Sequence, residues 1–411
     1  MTNSVLNETE NQTKATDAET TNSQKVAHEK VFYGDSQEVN KLGYSDYNEF
    51  SVNKEKKQSM RGFDDEYLDI IDYIIKCTHR IWEEKGFGLI YTHYSNRTIL
   101  HTGNINSHGV NSVVSGSIQM QHAFPDRKVV GEDVIWSGND REGFYTSHRV
   151  LSYGTNLGGS VFGPPTGKKV SFRVIADCIV HSNRIVEEWL YRDYFSIVKK
   201  LGINPVEVAK KLAKNTKYNA PTFQGSIGSG DPMEGQLVPQ LYTKKYSDFE
   251  IGDFILEMYN KVWECRLFNY VTNFYADHAV IHYINDQDLI GFDRIQEMII
   301  SLFASFPCAK FIIERVTCNQ GISKNEWDVS VRWRLQGLHE GIGVFGKPSG
   351  KPVEILGASH LKVRDEKIVE EWIVFDAIDV LRQIYSSSDN EFNEDNTIVN
   401  INGYTELINS L

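Results

Sequence analysis

Asp177 lies inside the apolar run VSFRVIADCIV, residues 170–180. A carboxylate in so apolar a strand is costly unless it is paired or used. Desolvation makes it a stronger base, suited to general-base work. The plainer alternative is an ion pair with Arg173 or Arg149. His148, in the strand-like run YTSHRVLSYGT, is a second proton acceptor of suitable type, or else a satisfied core or surface histidine. His101 and Trp82 complete the first set of candidates, as possible ligand contacts. Core packing is the competing role for the indole.

Each of these positions occurs twice. The stretch Gly154–Asp193 is repeated without a gap as Gly337–Asp376. Trp189 returns as Trp372, Asp193 as Asp376 and Arg149 as Arg332, while His360 stands in the column of Asp177 and Val331 in that of His148. Earlier in each copy, His101 returns as His282 and Trp82 as Trp263. A period this long marks a duplicated domain rather than a solenoid. His360 is therefore the base candidate of the second copy, and Trp189, Trp263, His282 and Trp372 are further candidate contacts. The retained Arg149 and Arg332 suggest structural ion pairs with Glu188 or Glu371. Asp193 and Asp376 precede helical runs and read as N-caps.

The elements that must hold these residues follow from periodicity. In each copy two helices precede four strands and a last helix. Helical spacing runs from Tyr67 to Trp82, Gly109 to Phe124, Phe249 to Cys265 and Gly291 to Phe306. Strand-like runs cover 127–136, 143–153, 168–181 and 184–191, then 309–319, 326–338, 351–364 and 367–375. Helices first and strands last predict an α+β fold: two tandem cone-shaped domains, each a curved antiparallel sheet wrapped around its helices. The concave face of such a sheet is the default place for a ligand. The expected boundaries are a disordered polar tail over 1–62, domain 1 over 63–213, a linker over 214–247, domain 2 over 248–386 and an acidic tail over 387–411.

The totals exclude several classes of function. A formal charge of -12 over 411 residues argues against a nucleic-acid partner. Five cysteines with no CxxC predict neither a disulfide framework nor a metal site. No apolar run reaches membrane-spanning length and no signal segment follows Met1, so a cytoplasmic location without membrane contact is expected. GPPTGK, residues 163–168, lacks the order of a phosphate loop and reads as a hairpin turn.

Phe124-Pro125-Asp126, Gly154-Thr155, Pro164-Pro165-Thr166-Gly167-Lys168 and Ile185-Val186-Glu187-Glu188-Trp189 with Asp193 resemble the SnoaL-like polyketide cyclases, within the nuclear transport factor 2-like superfamily. The second copy keeps Phe306-Pro307, Pro348-Ser349-Gly350-Lys351 and Ile368-Val369-Glu370-Glu371-Trp372 with Asp376. The resemblance implies ring closure by an intramolecular aldol step, or isomerisation, of a hydrophobic carbonyl compound without cofactor, and a catalytic Asp on the strand that holds Asp177. It makes His339 a further candidate contact, since many members carry His where the first copy has Asn156. It also implies sheet-to-sheet pairing, within the chain or in a homo-oligomer. A non-catalytic small-molecule-binding or scaffold protein on the same fold is the alternative.

Overall fold

The computed structural model describes residues 29–40, 47–50, 54–215, 239–386, 398–401 and 404–407. The expected tail over 1–28, most of the linker (216–238) and residues 387–397 lie outside the described residues.

Strand β1, Val31–Gly34, comes first. Domain 1 opens with helix α1, Ile70–Thr78, capped by Asp69, whose carboxylate accepts from the Asp72 N–H. The helix continues through a wider turn, His79–Glu83. A hairpin of β2 (Tyr94–Thr102) and β3 (Ile105–His108) leads into α2, Val110–Ala123. Four strands follow: β4 (Lys128–Asn139), β5 (Gly143–Thr155), β6 (Lys169–His181) and β7 (Arg184–Arg192). The last helical stretch of domain 1 is broken between Gly202 and Pro205, as its glycine and proline predict, into α3 (Tyr194–Leu201) and α4 (Pro205–Asn215); Gly202 adopts φ +77° and ends the first.

Domain 2 repeats the plan with α5 (Ile251–Met258), β8 (Tyr275–Tyr283), β9 (Gln287–Ile290), α6 (Phe292–Ser305), β10 (Lys310–Gln320), β11 (Glu326–Leu338), β12 (Pro352–Arg364), β13 (Lys367–Phe375) and α7 (Ala377–Tyr385). The fold is α+β, with two sheets that each hold helices on one face. The strand orders are β3-β2-β7-β6-β5-β4 and β1-β10-β11-β12-β13-β8-β9.

The sheets are not purely antiparallel: β2 runs parallel to β7, and β8 to β13. The chain crosses over through a helix after the first hairpin, so the last strand of the meander meets the first in the same direction. Hairpin strands β3 and β9 had no sequence expectation; the turns at Gly103-Asn104 and Asn285-Asp286 contain residues at positive φ, the local signal for them.

Part of the stretch expected as a tail is packed instead. Val39, Phe50 and Met60 are buried in the first-domain core. β1 adds to the edge of the second sheet, parallel to β10, and so covers an edge that would otherwise expose unpaired backbone groups.

The two sheets pack against each other. Ile175, Trp189 and Tyr191 of one domain meet Leu356, Ala358 and Val374 of the other. Asn319 bridges the sheet edges, accepting from the Trp136 N–H at 2.9 Å and donating to its carbonyl at 2.8 Å. Each sheet thus has an inner face toward its own helices and an outer face toward the other domain.

Candidate functional site

Strand alternation decides which candidates share a face. Asp177 lies opposite Ser147 on β5 and Trp189 on β7, and this set faces outward to domain 2. The equivalent outward set is Ser330, His360 and Trp372. Asp177 and His360 therefore lie between the domains, and the expectation that they face a cone is not met.

The contacts there are reciprocal. The Arg149 guanidinium stacks 3.5 Å from the Trp372 ring centre, and Arg332 stacks 3.7 Å from that of Trp189. The His360 ring bonds Ser147 Oγ at 2.7 Å and the Arg149 guanidinium at 3.1 Å. Burial, with Arg149 beside it, holds this imidazole well below its usual pKa, so it is neutral. Burial raises the Asp177 carboxyl, against the Arg332 charge and the nearby Ser147 and Tyr145 hydroxyls.

Arg149 and Arg332 do not pair with Glu188 and Glu371, which point the other way. They meet Glu132 at 3.0 Å and Glu314 at 3.1 Å. These glutamates lie where the registers of β4 and β10 shift, and the bulge brings each carboxylate to the outer face.

His101 and His282 lie on the same outer layer, stacked on Trp189 and Trp372 at 4.8 and 4.9 Å. They bond Glu187 at 2.8 Å and Glu370 at 3.0 Å. His339 is buried beneath the turn that follows β11, where its ring meets Ser349 Oγ at 3.1 Å and its carbonyl accepts from the Gly350 N–H at 2.9 Å. Asn156 holds the matching turn in domain 1 through the Thr166 and Gly167 N–H groups. Asp193 and Asp376 are N-caps, as read.

The inner faces hold Trp82 and Trp263, and there the two copies differ. In domain 2 Tyr259, Trp263, Phe311 and Trp333 form one block, with neighbouring ring centres 5.1–6.3 Å apart. Gly357 makes room for it: a Cβ there would fall 2.1 Å from the Trp333 indole. The second-domain core is a single cluster.

Domain 1 has Thr78, Trp82, Val129 and Val150 at the equivalent positions, and Val174 for Gly357. Its core falls into two clusters, and among the described residues Trp82 is the one side chain packed against both. The inward Thr78, Trp82, Met120, Ala176, Leu190 and Arg192 are all part-exposed. Their counterparts Tyr259, Trp263, Leu302, Ser359, Ile373 and Phe375 are all buried. Solvent thus reaches the concave face of domain 1, and the side chains of domain 2 fill theirs.

Two ionisable groups sit on the inner face of domain 1. Glu188 accepts a hydrogen bond from the Tyr94 hydroxyl at 3.0 Å through Oε2. Its Oε1 carries no hydrogen bond among the described residues. Burial pushes its carboxyl up to about 7, against the Tyr94 bond and the Arg192 charge. In domain 2 both oxygens of Glu371 are engaged, by Tyr259 at 3.2 Å and Tyr275 at 2.6 Å. The change of Tyr259 to Thr78 is what releases one oxygen of Glu188.

His148 faces inward beside α1, its Nδ1 3.4 Å from the Thr78 hydroxyl. Its Nε2 has no partner among the described residues. Burial and then Arg149 lower its pKa to about 3, so the ring is neutral. The neutral tautomer with its proton on Nε2, in which Nδ1 would accept from Thr78, can donate to an oxyanion.

Sequence reasoning missed Glu188 as a site residue. The signal was present: it is the neighbour of Trp189 on a strand, so the two must point to opposite faces. Among the described residues no group of three His, Cys, Asp or Glu side chains is arranged to hold a metal. Nor is any helix of the described residues long and apolar enough to cross a membrane.

The family model described as SnoaL-like polyketide cyclase matches residues 73–201 and again 254–384. None of the curated proteins matches the chain. Among solved structures, one from Jannaschia sp. CCS1, named for the SnoaL-like polyketide cyclases, is similar at 17% identity over 34% of this chain and 99% of that one, TM-score 0.30. IdmH of Streptomyces antibioticus, named for the polyketide cyclases, is similar at 20% over 33% and 99%, TM-score 0.28. TsrD of Streptomyces laurentii is similar at 13% over 33% and 99%, TM-score 0.30.

Proposed function

The chain belongs to the SnoaL-like polyketide cyclase family over both of its repeats, and on that footing we propose that domain 1 is the working copy, with acid–base chemistry on a hydrophobic, carbonyl-bearing small molecule. Glu188 is the base. Its carboxylate takes a proton from the carbon next to a carbonyl, leaving a protonated Glu188 and an enolate. His148 donates from Nε2 to the enolate oxygen, where charge develops. The enolate carbon then attacks a second carbonyl of the same molecule, and the new alkoxide takes its proton back from Glu188. In an isomerisation the proton returns to a different carbon instead. Protons and electrons balance without a redox partner.

A carboxyl near 7 suits this role, since it can both accept and return a proton at neutral pH. The observation that carries the reading is the paired change at the helix end: Thr78 in place of Tyr259 opens the space and frees Glu188 Oε1 together. Asp177 and His360 have no part in the chemistry of this reading; they serve the contact between domains. Domain 2, with its filled inner face, acts as the fixed partner on which the outer face of domain 1 packs, so the scaffold alternative is retained for this half.

The test is exchange of the α-proton of hydrophobic β-diketones in deuterium oxide, followed by NMR. Wild-type protein should accelerate exchange, with a rate that rises with pH and levels off above about 7 as Glu188 ionises. Glu188→Gln should lower it by about 10²–10⁴-fold, the usual contribution of a positioned base. Exchange that survives this substitution in a folded protein would rule out Glu188 as the base.

A further inference from the structure

Four polar side chains on the inner side of domain 1 have no role in that proton transfer. Arg127 precedes β4 and donates from Nε to Ser152 Oγ at 2.8 Å. Arg192, at the end of β7, donates to the Tyr194 hydroxyl at 2.9 Å. Both arginines are half-buried, and neither forms an ion pair among the described residues. Burial, followed by the charge of Arg192, lowers Arg127 to about 10, and the phenol of Tyr194 feels both cations. Ser152 lies opposite Phe172 and Arg192 opposite Val174, so the two part-buried guanidinium groups are held at the same end of the sheet. Glu83, the carboxylate whose charge reaches Arg127, is occupied by the Val129 N–H at 2.7 Å and by His79 at 3.3 Å.

The second domain shows that the fold does not require this cluster. At the positions of Arg127, Ser152, Arg192 and Tyr194 it has Ala309, Leu335, Phe375 and Ala377, all buried. Two like charges at one end of the sheet, with no carboxylate bonded to either among the described residues, are costly, and a bound anion offsets that cost. Leu190 and Arg192 face inward on the strand that carries Glu188. Arg192 lies four residues from Glu188, about 13 Å along β7 at about 3.3 Å per residue.

We propose that Arg127 and Arg192 form a carboxylate-binding subsite, so that the ligand of domain 1 is an elongated hydrophobic acid. Its carboxylate sits between the two guanidinium groups, and its apolar skeleton runs past Leu190 and Trp82 toward Glu188. This rests on domain 1 being the ligand-binding copy, but not on the proton transfer assigned to Glu188.

The test is calorimetric titration of the full chain with 2-naphthoate and with its uncharged methyl ester. Wild-type protein should bind the acid at least about tenfold more tightly than the ester. Arg127→Ala and Arg192→Leu, residues of the kind the second domain tolerates, should each remove that preference while the melting temperature stays within a few degrees. Glu188→Gln should keep the preference, which separates the subsite from the chemistry. An acid that binds no better than its ester, with binding of neither included, overturns the proposal. So does a preference that persists in both arginine variants.

Discussion

Trp333 and Gly357 face each other across two strands of domain 2, and Val150 and Val174 do so in domain 1. The pairs are complementary in size, since the indole occupies the space that a Cβ at Gly357 would take. The same exchange is repeated at Tyr259 and Thr78, at Phe311 and Val129, and at Phe375 and Arg192. Two copies with one backbone plan have thus reached opposite solutions for the same concave face. Domain 2 fills it with rings and gains burial. Domain 1 keeps it open, and its ionisable groups carry free valences. A fold shared by both cannot be the source of function; the residues grafted on it are.

Removing the ring block should have the largest effect. Trp333→Ala opens a cavity in a single packed core and is expected to cost about 3–5 kcal/mol in urea unfolding, while α-proton exchange by domain 1 stays at the wild-type rate. Val150→Ala in domain 1 removes far less and should cost clearly less. Equal costs would mean that the two inner faces are packed alike.

The pH dependence of Glu371 comes next. Its carboxyl is raised by burial from 4.5 to about 7, against bonds from Tyr275, Tyr259 and Ser359. The folded state therefore binds more protons than the unfolded chain between these values. This contribution is present at low pH and is lost as pH rises from about 4.5 to about 7. Glu371→Gln cannot ionise, so its stability relative to wild type should improve by up to about 3 kcal/mol between pH 4.5 and 8. Unfolding curves that keep a constant offset across this range would contradict the assignment.

The smallest effect concerns the face the two domains share. Arg149→Leu loses the stack on Trp372, one partner of His360 and one of the two arginines that meet Glu132, which keeps Arg173 at 3.2 Å, and should cost about 0.5–2 kcal/mol with exchange activity retained. A complete loss of exchange would instead place the outer face in the reaction.

The sequence made the duplication, the α+β class and most strands legible, because Gly154–Asp193 and Gly337–Asp376 match without a gap and the turns punctuate the strands. It could not say which way Asp177 points. Strand β6 is buried on both sides, by its own helices and by the other domain, so its run is apolar throughout and the period of two that marks a face is erased. The same masking hid Glu188, which next to Trp189 read as an ion-pair partner for Arg149. The ring block of domain 2 was invisible for another reason. Its members come from the wide turn Tyr259–Glu264 that follows α5, from β10 and from β11, and only the folded sheet brings them together.

The most direct test is the number of 2-naphthoate molecules bound per chain, measured calorimetrically in wild type and in a variant with Thr78→Tyr, Val150→Trp and Val174→Gly. One molecule per chain, abolished in the folded triple variant, is the predicted result. Two per chain, or one that persists when domain 1 is filled, would contradict the division of the chain into an open copy and a filled one.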